Sequence, residues 1–304
     1  MNGFLVFDKP ADMTSHDVVA MVRRLLKQKK VGHTGTLDPF ATGVLPVALG
    51  TATKLIPYLD ESLKEYRAVM YLGISTDTQD HTGKVVRQEA VKSITEEMIR
   101  ETFARFTGTI SQVPPMFSAV KQGGVPLYKL ARRGEEVERP PRQVTIYSLA
   151  LNRLQLPYVT FTVHCSRGTY VRALANDLGD SLGCGAHLTA LRRLRSGVFS
   201  EELAITLETM QECSATGRFD EHLITPLKAL SHLRALSVTY EGSLKISHGM
   251  SPAESDFETY PEGGVAVGET VCLIHEGRLA AVASGVPGDN LSKDKTVRLL
   301  RVFI

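Results

Sequence analysis

The sequence of 304 residues has none of the features that mark a membrane protein or a secreted chain. No apolar run approaches the roughly 18 residues that a membrane-spanning helix needs. Residues 1–9 lack the basic segment and the apolar stretch of a signal peptide, and we interpret them as a first β-strand. We therefore expect a cytoplasmic protein that has no membrane association.

Cysteine is scarce, and its spacing fits neither a disulfide framework nor a metal centre. The four cysteines stand far apart and form no C-x-x-C pair: Cys165, Cys184, Cys213 and Cys272. A zinc site needs ligands at closer spacing than this. We predict four buried thiols that pack as small apolar side chains, and no metal.

The formal net charge is only +2, and the positive charge is concentrated in clusters. Three such clusters are Arg23, Arg24, Lys27, Lys29 and Lys30; Lys129, Arg132, Arg133, Arg139 and Arg142; and Arg192, Arg193 and Arg195. One basic run is more typical of a solvated helix face than of an RNA site. Three clusters around candidate site motifs favour a surface that binds phosphates.

Hydrophobic periodicity predicts helices and strands that alternate without a regular βαβ order. A T-x-x-D capping box at Thr14 begins one helix, and Ser93 with Glu96 is expected to begin another. Alternating apolar residues predict a strand over residues 158–165, followed by a helix that ends at Gly183. This pattern predicts an α+β fold with a mixed, mainly antiparallel sheet and flanking helices.

Two segments depart from this pattern. Residues 113–142 are rich in proline, glycine and basic residues, and so long an excursion from a compact domain is usually functional or disordered. From about residue 230 the chain changes to short β-runs with glycine and proline turns, which are typical of a small β-barrel. We therefore predict one large domain over residues 1–230 and a small barrel over residues 236–304.

Residues 32–46 are the most informative stretch of the sequence, reading G-H-T-G-T-L-D-P-F-A-T-G-V-L-P. Their glycines and prolines predict a tight loop that presents one acid, Asp38. The loop lacks the G-K-[ST] ending of a phosphate-binding P-loop. From the residues alone, Asp38 is as readily a turn residue before Pro39 as a catalytic acid.

Together with other motifs, residues 32–46 resemble the signature of the TruB family of tRNA pseudouridine-55 synthases. The other motifs that resemble the family are Lys9-Pro10 with Thr14-Ser15, Lys64-Glu65-Tyr66, Thr76 to Asp80, Gln112 to Lys121, Cys165 to Arg172, and Gly185 to Arg193. The resemblance is dense over residues 3–197, and beyond them the chain resembles a PUA-type RNA-binding barrel. The family usually has glycine where this chain has Asp12, and aspartate tolerates a positive φ better than most residues.

The resemblance implies that Asp38 is the catalytic carboxylate, acting on a uridine flipped out of the RNA. Arg172 is expected to favour the charged form of Asp38, and His33 to wedge into the RNA loop. Tyr66 is expected to stack on the flipped base and to handle its C5 proton. The other residues expected at the base-binding pocket are Asp80, Tyr170 and Leu191.

The resemblance also makes residues 113–142 an inserted thumb that contacts RNA. The candidates for contacts to the RNA backbone are Lys9, Lys121, Lys129, Arg132, Arg192 and Arg193. The implied enzyme is an isomerase whose substrate is the T arm of tRNA. It is expected to act as a monomer, without a cofactor, a metal or an obligate protein partner.

Other functions fit the sequence less well. An RNA methyltransferase would need a glycine-rich cofactor loop after the first strand, and a zinc deaminase would need H-x-E with C-x-x-C. The sequence contains neither. A non-catalytic RNA-binding module would not need a carboxylate with a partner arginine. A guide-RNA-dependent pseudouridine synthase shares the fold but lacks the thumb, so the thumb motif favours a stand-alone enzyme.

Overall fold

The computed structural model describes residues 1–287 and 297–304. Its strands are β1 (Gly3–Lys9), β2 (Val31–His33), β3 (Thr42–Leu49), β4 (Lys64–Leu72), β5 (Ile74–Thr76), β6 (Val85–Gln88), β7 (Gly108–Gln112), β8 (Lys121–Gln122), β9 (Val125–Pro126), β10 (Arg142–Gln155), β11 (Tyr158–Cys165), β12 (Ala186–Ser196), β13 (Phe199–Ser200), β14 (Ala204–Ile205), β15 (Arg234–Ser237), β16 (Thr270–His275), β17 (Arg278–Gly285) and β18 (Val297–Val302). Its α-helices are α1 (Ser15–Leu25), α2 (Glu96–Arg105), α3 (Leu127–Ala131), α4 (Val171–Ser181), α5 (Leu207–Thr216), α6 (Pro226–Ala229) and α7 (Tyr240–Ser247). None of the helices in these described ranges is both long and apolar enough to cross a bilayer.

The largest sheet has the strand order β14-β1-β3-β12-β4-β11-β10-β7, with β2 paired to β3 and β13 paired to β12. Strands β1 and β14 run parallel, as do β3 and β12, and the other pairs are antiparallel. This arrangement confirms the predicted α+β class with a mixed, mainly antiparallel sheet.

Buried and more exposed residues alternate along the central strands, so that one face of the large sheet packs in the core. The apolar face predicted for residues 158–165 is fully buried in β11: Val159, Phe161, Val163 and Cys165. Residues of α1, α2, α4 and α5 belong to the same hydrophobic cluster, so these helices cover that face. All four cysteines are free and buried, as predicted.

The sequence predicts the start of α1 correctly and the start of α2 incorrectly. The Thr14 hydroxyl accepts the Asp17 N–H at 3.1 Å and the Asp17 carboxylate accepts the Thr14 N–H at 2.9 Å, which confirms the capping box of α1. The preceding turn places Asp12 at a φ of 64°, in the region that aspartate tolerates. The predicted start of α2 is wrong by two residues, because Thr95 is the cap and Ser93 lies before it at a φ of 56°.

The thumb leaves and re-enters the large sheet at one place. Gln112 at the end of β7 pairs with Arg142 at the start of β10, and residues 113–141 lie between them. This excursion contains the short β8–β9 pair and helix α3. Leu127 is buried in it, while Lys129 on α3 is exposed. The other buried residues of the excursion are Pro114, Pro115, Met116 and Ser118.

The C-terminal part contains a second sheet with the order β15-β16-β17-β18. Strand β15 is parallel to β16, and the other pairs are antiparallel. The apolar run at 265–267 is not a strand, because only Val267 forms an isolated bridge, to Gly285. In the described residues this part is a small four-stranded sheet, which confirms a small β-structure in the C-terminal part. The predicted range 236–304 includes residues 288–296, which lie outside the described residues.

The two sheets share a hydrophobic cluster. Phe4 and Val44 from the large sheet belong to the same cluster as Cys272, Leu279 and Val282 from the small one, and all five are buried. The division into residues 1–230 and 236–304 stays a prediction. The shared cluster means that the two parts are packed on each other.

Candidate active site

Asp38 lies in the loop between β2 and β3, where it is bound by Arg172 from the first turn of α4. Arg172 Nε donates to Asp38 Oδ2 at 2.8 Å, and Nη2 donates to Oδ1 at 3.0 Å. Such bidentate pairs are charge-assisted and fix geometry as well as adding energy. The Arg172 side chain is 3 % exposed and that of Asp38 is 32 % exposed. The arginine is therefore buried beneath a carboxylate that solvent and substrate can reach.

The same guanidinium also fastens two other segments of the chain. Arg172 Nη1 donates to the carbonyl of Thr78 at 2.8 Å, in the connection between β5 and β6. Nη2 donates to the carbonyl of Phe117 at 2.8 Å, in the thumb. One buried side chain therefore sets the position of Asp38 relative to both segments.

Asp80 places a second carboxylate beside Arg172. Its Oδ2 lies 3.5 Å from Arg172 Nη1. Its Oδ1 accepts hydrogen bonds from the Thr78 hydroxyl at 2.7 Å, the Thr82 amide at 3.0 Å and the Thr82 hydroxyl at 2.5 Å. Asp80 is buried and fully engaged by these donors. It therefore contacts Arg172 and not the open side of the site, which refines the expectation that it adjoins the pocket.

The loop that carries Asp38 is anchored on both sides of the carboxylate. The amide of Leu37 donates to the Ser15 hydroxyl at 3.0 Å, and the Lys9 ammonium donates to the Pro39 carbonyl at 3.0 Å. Burial lowers the pKa of Lys9 to about 8, against the opposing effect of the Asp38 charge. These contacts hold the residues before and after the carboxylate in place.

Tyr66 and Leu191 lie on neighbouring strands with side chains on one buried face. Leu191 on β12 is opposite Ala68 on β4, and Tyr66 is opposite Arg193. Burial raises the pKa of Tyr66, and the nearby Arg193 charge offsets part of that rise. The tyrosine is therefore a neutral phenol at neutral pH.

Tyr170 precedes α4 and is tied to the base of the thumb. The Tyr170 amide donates to Gln112 Oε1 at 2.8 Å, and Gln112 Nε2 donates to the Tyr170 carbonyl at 3.1 Å. Burial raises the pKa of the Tyr170 phenol, and the Asp38 charge adds to the rise.

His33 ends β2, at the entrance of the loop. Its ring lies edge-on to His16 with centroids 5.3 Å apart. Burial lowers the pKa of His33, with further lowering by His16 and Arg193, so the imidazole is neutral at neutral pH. Its buried Nδ1 has no hydrogen-bond partner among the described residues. The expected role as a wedge in the RNA loop stays a prediction.

Three of the six candidates for RNA backbone contacts are hydrogen-bonded within the protein. Lys9 is fully buried and donates to three carbonyl oxygens within the N-terminal turn and the loop. Arg193 is 1 % exposed and donates to two carbonyl oxygens. Arg192 is bound by both carboxylate oxygens of Asp8 at 2.9 Å and by Glu201 at 3.3 Å. None of the three presents a free cationic group to a phosphate.

The other three candidates for RNA backbone contacts lie exposed on the thumb. They are Lys121 on β8, Lys129 on α3 and Arg132 at the end of α3. Arg132 stacks over the ring of Tyr128 at 5.6 Å from the centroid. Their contact with RNA stays a prediction.

Sequence reasoning missed the residues that orient Arg172 and the loop. The Thr78 and Phe117 contacts use backbone carbonyls, which any residue provides, so no sequence signal marks them. Ser15 and Gln112 act through side chains, and both stand within motifs that resemble the family. A search of those motifs for polar side chains next to the signature residues would have found Ser15 and Gln112.

Comparison with known proteins assigns the family. Residues 23–171 match the model described as TruB family pseudouridylate synthase (N terminal domain), and residues 172–236 match the tRNA pseudouridylate synthase B C-terminal domain. The chain belongs to the TruB family. This confirms the resemblance carried by residues 32–46 and the other motifs.

Relatives of this TruB-family enzyme match it from end to end. It is 54 % identical over 303 residues to tRNA pseudouridine synthase B of Geobacter sulfurreducens, with 100 % of both chains covered. It is 57 % identical over 304 residues to tRNA pseudouridine synthase B of Geotalea uraniireducens, covering 100 % of this chain and 98 % of the relative. Among solved structures, it resembles a chain of a Cbf5-Nop10-Gar1 complex with a TM-score of 0.76 and 29 % identity, covering 99 % of this chain and 85 % of that one.

Proposed function

We propose that this protein is a tRNA pseudouridine-55 synthase, which isomerises a uridine in the T loop of tRNA to pseudouridine. The observation that carries the proposal is Asp38, a partly exposed carboxylate held by two charge-assisted hydrogen bonds from a buried arginine. The full-length relatives named tRNA pseudouridine synthase B support the choice of tRNA as substrate.

The chemistry requires little more than this carboxylate. The glycosidic C–N bond of uridine breaks, the base rotates, and a C–C bond forms to the same sugar, so the atoms of substrate and product are the same. A carboxylate nucleophile can act at the sugar or at the base. Asp38 has the required exposure, and the Arg172 fork stabilises its negative charge.

The base must leave the RNA stack before Asp38 can reach it. Tyr66 offers a buried aromatic face near Asp38, and base–aromatic stacking contributes on the order of 1–3 kcal/mol. Leu191 and Tyr170 complete the proposed pocket. Once the C–C bond forms, C5 loses a proton and N1 gains one. Tyr66 is proposed to relay the C5 proton, its phenol giving up its own proton as it accepts that one.

Two alternatives are less well supported. A non-catalytic RNA-binding module gives no reason for the bidentate pair between Asp38 and a buried Arg172. The second alternative is a guide-RNA-dependent synthase of the same fold, and the likeness to a chain of the Cbf5-Nop10-Gar1 complex supports only that such a fold occurs in an assembly with other proteins. The thumb at residues 113–141 and the relatives with higher identity favour an enzyme that acts alone, as a monomer in the cytoplasm.

The function is tested on a T-arm hairpin with the purified protein and no guide RNA. We expect pseudouridine at the single target uridine and none in a matched hairpin that has cytidine there. Metal independence is tested in the same assay, where turnover on a prefolded hairpin is expected to survive exhaustive EDTA treatment. In the described residues no three His, Cys, Asp or Glu side chains are grouped to hold a metal ion. Conversion that appears only after a guide RNA is added would contradict the proposal.

The thumb is expected to contribute to binding more than to chemistry. Changing Lys129 and Arg132 to Gln removes two exposed positive charges from the thumb. Contacts between such charges and phosphates fix the position of the RNA and weaken as the salt concentration rises. We expect weaker hairpin binding and a salt dependence of log Kd reduced by about one per lysine or arginine removed. The single-turnover rate at saturating enzyme should be unchanged. Lys92→Gln, exposed between β6 and α2, is the control; an unchanged Kd in the double variant refutes the prediction.

A further inference from the structure

Arg193 lies under the loop that carries Asp38 and is only 1 % exposed. Its Nε donates to the carbonyl of Val44 at 2.7 Å, and its Nη2 donates to the carbonyl of Gly35 at 2.9 Å. Gly35 and Val44 stand on either side of Asp38 in the chain. One planar guanidinium therefore joins the two ends of the catalytic loop.

The loop is shaped to receive this arginine. Gly43 pairs with Arg193 where β3 and β12 run parallel, and a Cβ on Gly43 would overlap the Arg193 carbonyl oxygen. Gly35 has a φ of 64°, and a Cβ there would stand 3.3 Å from Arg193 Nη1. Both glycines thus allow the backbone to approach Arg193 more closely than a side chain would permit.

The charge environment of Arg193 differs from that of Arg172. Arg172 faces the carboxylates of Asp38 and Asp80. None of the ion pairs among the described residues involves Arg193. A buried guanidinium without a carboxylate is costly to desolvate, and here its hydrogen-bond partners are loop carbonyls. Arg193 therefore orients the backbone of the loop. Its two hydrogen bonds hold two separate points of the loop, whereas a single ion pair would hold only one.

Arg193 also connects the loop to the proposed base-binding face. It is directly opposite Tyr66 in the pairing of β12 with β4. The guanidinium therefore lies between the strand that carries the tyrosine and the loop that carries the carboxylate. Movement of the loop relative to β12, the strand that pairs with β4, would break its hydrogen bonds to Gly35 and Val44.

We infer that Arg193 is a positioning residue that fixes Asp38 relative to Tyr66 by fastening both ends of the catalytic loop. This inference rests on the proposed function. Because Arg193 is only 1 % exposed, we expect it to affect the placement of the carboxylate and not the binding of RNA. It replaces the role in RNA backbone contact predicted for this residue.

The test compares Arg193→Lys with Arg153→Lys in single-turnover conversion of the T-arm hairpin. Lysine keeps the charge but lacks the planar fork that reaches two carbonyls. We expect the single-turnover rate of Arg193→Lys to be about 100-fold below that of the wild type, because a small misplacement of reacting groups can cost this much. The hairpin Kd should be unchanged. Arg153 is exposed on β10 and belongs to none of the three basic clusters, and its lysine variant should keep the wild-type rate.

A second variant covers the case in which Arg193→Lys does not fold. Gly35→Ala places a methyl group 3.3 Å from Arg193 Nη1 at a residue with a φ of 64°, so it disturbs the loop end that Arg193 holds while leaving Arg193 in place. We expect a lower single-turnover rate with unchanged Kd. When both single variants fold, the double variant should be no slower than Arg193→Lys, because the two changes disturb one contact and so are not additive.

The outcomes separate this inference from the proposed function. If the wild-type protein converts no hairpin, the proposed function fails first. If the wild type is active, a near-wild-type rate in Arg193→Lys overturns the positioning role. If Arg193→Lys does not fold, a near-wild-type rate in Gly35→Ala overturns it. A loss confined to Kd, or fully additive effects in the double variant, also overturns it. A rate loss with unchanged Kd and non-additive effects supports it.

Discussion

The Asp38→Asn protein is expected to bind a T-arm hairpin as tightly as the wild type and to form no detectable pseudouridine. Asparagine keeps the size of the side chain and one oxygen for Arg172, but it removes the charge that attacks the nucleoside. Removal of a nucleophile lowers turnover by about 10⁴-fold or more. The measurement is single-turnover conversion with hairpin Kd and Tm determined in parallel.

The same substitution decides whether Asp38 is only a turn residue. Asparagine is nearly as good as aspartate in a turn, so a structural role predicts that activity survives. Asp180→Asn, a surface change on α4 with the side chain 50 % exposed, is the matched control and should be fully active. Conversion above trace by Asp38→Asn protein that mass spectrometry shows to be free of deamidation would exclude the proposed mechanism.

Arg172→Met is expected to reduce both activity and stability. The carboxylate of Asp38 loses its two donors, and removal of such a preorganised electrostatic contact costs about 10²–10³-fold in kcat. Asp80 stays buried without its opposite charge, and breaking a buried pair in this way costs about 3–5 kcal/mol of unfolding free energy.

The two losses caused by Arg172→Met are measured separately, by single-turnover conversion of the folded protein and by thermal unfolding. Arg100→Met removes an exposed arginine paired with Glu96 on α2 and should change neither quantity. A variant with a lowered Tm but a wild-type rate would show that Arg172 has only a structural role. The prediction for the site would then be wrong.

Local patterns in the sequence predict the elements whose signals lie within a few residues. The capping box of α1 depends on Thr14 and Asp17, three positions apart, and its geometry is as predicted. The strand over residues 158–165 follows from its period of two. For α2 two hydroxyl residues compete two positions apart, and the backbone at Ser93 decides in favour of Thr95.

Long-range features required either the resemblance or the structure. Asp38 and Arg172 are 134 residues apart, and only the family motif brought them together in advance. Arg192 and Arg193 are adjacent and chemically identical, yet one is half-exposed and paired with Asp8 while the other is buried under Gly35. The alternation of β12 separates them once the strand is known. A basic cluster in the sequence does not reveal which members face the interior.

The cluster shared by the two sheets has a consequence for the order in which the chain is made. Phe4, in the first strand, belongs to one buried cluster with Leu279, which is synthesised 275 positions later. At roughly 5–20 residues per second, about 14–55 s separate the emergence of the two ends of this cluster. During that interval part of the apolar surface around Phe4 is not yet covered by the later residues that bury it in the folded protein. This cluster is therefore completed only after residue 279 has been made, and the nascent chain exposes apolar surface around Phe4 until then.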